Sequence, residues 1–244
     1  MTATTWRAAG DQIRMQASSP VALLAGLIMP VVFAVILHSY SSAAVDPAFA
    51  VGIAGIGYLD ALIVLVVVSL LGEKQWRTLT PALAAPYGIV PVVLGRLAGM
   101  TVQALVSLPG TLLPLALLWG LAPGFDWLRW LVGGAALALA TTSVVGLMAF
   151  VVLRFPFSPG MTNGLVGLLL ALGSLLVPRD ALPPVIRQLS WLMPQSHVMS
   201  WVRGADAGSL AVSFGLTAVS LAIVVGLVLR LQQAVRDHAI PLEA

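Results

Sequence analysis

Residues 208–229, "GSLAVSFGLTAVSLAIVVGLVL", contain no charged side chain. At 1.5 Å per residue a helix of that length spans about 33 Å, the thickness of a bilayer's hydrocarbon core. Five further apolar runs precede it, at 20–37, 47–72, 92–119, 131–153 and 162–177. The chain is 59% hydrophobic and 9% charged, whereas a soluble domain carries roughly a quarter charged residues. The expected fold class is therefore an all-α membrane protein with six transmembrane helices. The fifth run, at about 24 Å, is marginal for a full crossing.

Charge placement supports this reading. The net charge is +3, yet the twelve basic residues are scattered singly at the ends of apolar runs. That is a membrane pattern, and it excludes a nucleic-acid partner. With six spans both termini share one side, which holds Arg7, Arg14, Lys74, Arg77, Arg96, Arg154, Arg230 and Arg236. The opposite side holds Arg129, Arg179, Arg187 and Arg203. Eight against four puts both termini in the cytoplasm. All seven tryptophans fall at or beyond span ends, as rings seeking the headgroup layer do. The chain has no cysteine, which removes disulfides, thiol chemistry and most structural zinc sites.

One transmembrane domain is expected over 1–244: an N-terminal interfacial segment at 1–19, a bundle at 20–229 and a cytoplasmic tail at 230–244. The N-terminus has no apolar core before Val21 and an acidic residue at Asp11, unlike a signal peptide. Trp6, Ile13 and Ala17 share one helical face, which suits a short helix lying in the membrane interface. A solvated, frayed terminus is the alternative.

The stretch "LLGEKQWRTLTPALAAPYGIVPVVLGR", Leu70 to Arg96, interrupts the apolar pattern. Gly72 is positioned to end the second span as a left-handed residue, and Glu73 then opens the next element. Thr80-Pro81 is a second helix start, Pro86-Tyr87-Gly88 a stop, and Pro91 opens the third span. A simple connection needs only a few residues. The spacing predicts a short, kinked helix pair at the cytoplasmic surface, either a membrane-anchored loop or a docking element for a partner.

These residues resemble the permease subunits of ABC-2 type transporters, which follow their second span with Glu, basic and polar residues, a "GTLE-x-LL-x-x-P"-like stretch and "LGK". The resemblance rests on Glu73, Thr78, Leu79, Leu83, Pro86 and the Gly95-Arg96 pair. Arg77 replaces the usual glycine, and Thr80 and Pro81 stand where the family has Glu-x. A second match is "MPQSHVMSWVR", with Arg203 nine residues after Pro194. The resemblance implies a cytoplasmic coupling helix between spans 2 and 3, with Glu73, Lys74, Trp76, Arg77, Thr78, Leu79, Pro81, Leu83 and Pro86 meeting an ATPase subunit. It also implies an external re-entrant helical hairpin between spans 5 and 6, carrying Pro184, Pro194, Trp201 and Arg203. Consistent with this, Pro178 is positioned to break the fifth helix and Pro183-Pro184 to start another. Apolar residues at 185, 186, 189, 192 and 193, then 198, 201 and 202, predict two short amphipathic helices in the outer interface.

Other features remain open at the level of sequence. Gly164, Gly167, Ala171 and Ser174 form a small-residue stripe, as do Ala50, Ala54, Gly57 and Ala61. Internal packing and a subunit interface explain them equally. Asp60 lies mid-span, where a carboxylate costs about 2.5–3.5 kcal/mol. With Tyr58 it is a pathway candidate, or else it hydrogen-bonds a Ser, Thr or Gln103. Pro30, Pro109 and Pro114 are expected kinks. His38 and His197 read as interfacial residues without a metal.

The resemblance implies a permease of an ATP-driven exporter in a bacterial inner membrane, moving an amphipathic small molecule, drug or peptide. Its partners would be ABC ATPase subunits, a second permease copy or related chain, and lipids. The chain's only lysine is preceded by Glu73, so no G-x-x-x-x-G-K-[ST] phosphate loop exists here. ATP and Mg then belong to the partner ATPase, and the chain is not itself an enzyme. No metal or cofactor site is expected on it, and no H-E-x-x-H or G-x-S-x-G motif occurs. The alternatives are a secondary carrier or a non-transporting scaffold or immunity protein. Few membrane-embedded ionisable groups and no convincing inverted repeat weigh against the carrier.

Overall fold

The structure, a computed structural model, describes residues 3–17, 28–38, 44–75, 89–154 and 159–237. The described residues form nine α-helices: α1 (Ala3–Ala17), α2 (Met29–His38), α3 (Pro47–Gln75), α4 (Val90–Trp119), α5 (Trp127–Arg154), α6 (Pro159–Leu172), α7 (Pro184–Ser190), α8 (Pro194–Val202) and α9 (Ala207–Arg236). Among them there is no strand, only an isolated parallel bridge between Val45 and Leu121.

Among the described residues three helices are long and apolar enough to cross a membrane: α4, α5 over Trp127–Phe150, and α9. They match the expected third, fourth and sixth spans. α3, the expected second span, is a 29-residue helix, and the first half of the expected first span lies outside the described residues. At 14 residues, α6 reaches only about 21 Å and stops short of a full crossing.

The core forms around α5, which packs on α3, α4, α8 and α9. Of its most apolar stretch 67% is buried, against 33% for α4 and 22% for α9. Leu113 and Leu117 on α4, and Val219 and Ile223 on α9, stand exposed. Apolar surface left in water forfeits roughly 25 cal/mol per Å². A bilayer removes that cost, so these faces are what a lipid-embedded bundle presents.

Helix starts are set by aspartates. Asp46 accepts from the Phe49 amide at 2.6 Å, Asp126 from the Arg129 amide at 3.0 Å, and Asp206 from the Ser209 amide at 3.4 Å. Each satisfies an otherwise orphaned amide at the first turn of α3, α5 or α9. Val45 donates to the Gly120 carbonyl and accepts from Ala122, so α3 begins where α4 ends. His38, at the end of α2, rests 4.3 Å from the Trp119 ring at the same end of the bundle.

Several expectations need correction. Gly72 does not end the second span, because α3 continues through Glu73 and Lys74 to Gln75. One glycine costs a helix interior only about 1 kcal/mol, too little to stop it. Helix α9 runs past 229, to Arg236. Val224, Val228, Gln232 and Val235 keep one buried stripe while Arg230 and Arg236 face outward. The second-span small residues serve internal packing, since Ala50 and Ala54 are buried and Gly57 receives the Pro30 ring. Gly164 and Gly167 on α6 instead face open space.

Candidate functional site

The expected fifth span, α6, ends at Leu172, not at Pro178. The Leu175 amide donates to the Leu170 carbonyl at 3.4 Å and the Ser174 amide to Ala171 at 3.1 Å. This is the paired bonding of a Schellman end, with Ser174 at φ +54° in its left-handed position. A serine there costs roughly 1–2 kcal/mol. The glycine beside it has a different duty. A Cβ on Gly173 would come within 3.3 Å of the Gln195 Cβ, so glycine there lets α8 approach.

What holds Ser174 is a buried polar network beneath α7 and α8. Its hydroxyl pairs with Ser190 at 3.0 Å, and Ser190 donates to Ser196 at 2.8 Å. Arg179 donates through Nε to the Ser196 hydroxyl at 2.9 Å and through Nη2 to Ser200 at 3.3 Å. Arg203 donates through Nη2 to the carbonyls of Ser174 at 2.8 Å and Leu175 at 3.1 Å. Hydrogen bonds from a guanidinium are worth about 1.5–3 kcal/mol. Those from Arg203 satisfy two carbonyls of the turn just beyond the helix end.

An aromatic stack closes the outer side. The Arg179 guanidinium lies 4.2 Å above the Trp191 ring. His197 meets the same ring edge-on at 5.3 Å, and its Nε2 bonds the Trp191 carbonyl at 2.9 Å. Burial is the main force lowering the His197 pKa. The bond to Trp191 opposes it, and the Arg179 charge adds to it. Burial likewise lowers Arg179 and Arg203, opposed by Asp180 and Asp46 respectively, and arginine stays charged throughout.

The hairpin therefore differs from its expected form. Helices do start at Pro184 and Pro194, each with proline in the first turn. α7 exposes Val185 and Leu189, as a helix at an apolar surface does. α8 is not an interfacial helix: Pro194 through Met199 and Val202 are buried against α5 and α9. His197, expected at the interface, is 3% exposed. The pattern of 198, 201 and 202 was legible, but the serines that bury the polar face of α8 were not. Ser196 and Ser200, four apart on one helical face, were the available signal.

A second constellation lies at the other end of α4. Thr5, Ala9 and Gln12 form the buried face of α1, which packs along α4. Gly95 and Gly99 let the backbones meet. A Cβ on Gly95 would strike the Thr5 carbonyl oxygen, and one on Gly99 would lie 2.9 Å from that of Ala9. The G-x-x-x-G spacing was visible in "GRLAG" as a close-approach motif. The interfacial N-terminal helix of the sequence reading is thus a helix docked on α4, with Trp6 at 65% exposure on its outer side.

The remaining candidate residues are distributed as follows. Tyr58 is 1% exposed in the core beside Leu59 and Leu108. Its hydroxyl has no partner among the described residues. Asp60 is half-buried two residues further along α3. Glu73 and Lys74 belong to the last turn of α3. Trp76, Arg77, Thr78, Leu79, Pro81, Leu83 and Pro86 lie outside the described residues. Trp201 and Arg203 close α8 and stand half-buried. No protein-family model matches the sequence, and no curated protein matches it. The site therefore stands on its own chemistry: a polar wedge that locks the end of the short apolar helix α6, with no exposed nucleophile or acid–base pair in it.

Proposed function

We propose that the chain is the membrane-spanning permease subunit of an ATP-driven ABC exporter. A separate ATPase supplies ATP hydrolysis, and a second permease, identical or related, completes the pathway. The observation that carries the reading is the hairpin of α7 and α8 between the short α6 and the long α9, with Arg203 nine residues after Pro194. The ABC-2 resemblance implies this order of elements. The finer reading has six spans, both termini on the cytoplasmic side of a bacterial inner membrane and the hairpin outside.

In this reading residues 73–86 form the coupling element. Closure of the ATPases pushes on it and tilts the attached helices as rigid bodies, changing the side to which the central cavity opens. The cargo is an amphipathic small molecule, drug or peptide, suited to an apolar cavity between two permeases. Asp60 is the candidate pathway carboxylate.

A mild-detergent pull-down of tagged protein, with mass spectrometry of what co-purifies, tests the assembly. A stoichiometric partner carrying a phosphate loop supports it. Replacing residues 78–86 by a short Gly-Ser loop should then abolish ATPase association. A chain that purifies alone, and that candidate ATPases ignore, returns the carrier and scaffold readings to the front.

A further inference from the structure

A cleft of about 300 Å³ opens between α1 and the start of α4, lined by Thr4, Arg7, Asp11, Gln12, Val92 and Arg96 among others. The arginines come from different helices, so the close packing at Gly95 and Gly99 is what brings them to one cavity. Gln12 is only 4% exposed, and its Nε2 has no partner among the described residues. A buried donor left unpaired costs its full desolvation, so a side chain in that state at a cavity wall marks a place for an acceptor.

The position of the cleft determines what can reach it. At 30 residues α4 is about 45 Å long, well beyond the roughly 30 Å hydrocarbon core. Val92 and Arg96 lie in its first two turns, which therefore extend into the headgroup layer. Exposed Trp6 and Ile13 on α1 suit the same layer. We propose that this cleft binds the headgroup of one phospholipid, with the phosphate held by Arg7 and the Gln12 amide beside the Arg96 charge, and a headgroup ammonium by Asp11. Two cations and one anion lining a single cavity match a zwitterionic phosphoethanolamine group better than a purely anionic one.

The test is native mass spectrometry of the full chain purified in detergent and titrated with phosphatidylethanolamine, phosphatidylglycerol or inorganic phosphate. Wild type should retain one phosphatidylethanolamine per chain in preference to phosphatidylglycerol. Arg7→Gln should weaken retention about tenfold, the loss of one charge-assisted hydrogen bond. Asp11→Asn should keep phospholipid binding but erase the preference between the two lipids. Arg7 and Asp11 are exposed, so neither substitution threatens the fold, and unchanged thermal unfolding checks this. Equal retention by wild type and Arg7→Gln overturns the site. Displacement of lipid by excess inorganic phosphate overturns the lipid as its occupant, and equal retention of both lipids by wild type overturns the ammonium contact.

Discussion

The Arg203 guanidinium donates to the carbonyl oxygen of Ser174 at 2.8 Å, across 29 residues of chain. The two residues form one device. Ser174 turns the backbone out of α6 at a left-handed φ, and Arg203, just past α8, satisfies the carbonyl this turn leaves open. The hairpin between them is held at both ends, and Ser190, Ser196 and Arg179 fill its interior.

Arg203→Ala should cost about 2–3 kcal/mol, because it leaves the Ser174 and Leu175 carbonyls without their charged donor. Arg203→Lys should recover part of this, since both bonds leave one nitrogen, Nη2, for which an ammonium on a shorter side chain can stand in. Thermal unfolding in detergent reads both, and an unchanged midpoint for Arg203→Ala would discount the brace.

Ser174 separates backbone strain from side-chain bonding. Ser174→Gly relieves roughly 1 kcal/mol of left-handed strain and loses a hydroxyl bond worth about as much, so it should be near neutral. Ser174→Ala keeps the strain and loses the bond, and Ser174→Val adds β-branching to a position with positive φ. The expected order of stability is Gly, then Ala, then Val. Val equal to Gly would show that the turn is not left-handed in solution.

The hairpin should be sensitive to acid. His197 has its folded-state pKa lowered below the ordinary 6.5, chiefly by burial. Its contribution to stability is present in full above about pH 6.5 and is lost as pH falls through the lower folded value, because the unfolded chain binds the proton first. Unfolding midpoints measured from pH 7.5 to 5 should fall more steeply for wild type than for His197→Gln. Parallel curves would remove His197 from the acid response.

At the other end, Gly99→Leu should release α1. Even a Cβ at this position lies 2.9 Å from the Ala9 carbonyl oxygen, and overpacking of this kind costs typically 1–3 kcal/mol. Limited proteolysis should then cut within residues 3–17 several-fold faster than in wild type. Unchanged cleavage would mean that α1 is not docked on α4.

What the sequence determined by itself was the solvent, the class and the helix starts. Uncharged runs as long as 208–229 have no aqueous solution, and proline at 184 and 194 can open a helix but not continue one. Those signals are local, carried by hydropathy and by backbone chemistry within a few residues. The helix ends were less legible. Gly72 looked like a stop and was not, while Ser174 gave no local sign of being one. Whether a helix ends depends on what the freed carbonyls find, and Arg203 lies far along the chain. Burial of α8, the pairing of Ser196 and Ser200 with Arg179, and the meeting of Arg7 with Arg96 were settled only by tertiary structure. Each requires two helices to approach, and the glycines that permit the approach carry no hydropathy signal saying which neighbour they admit.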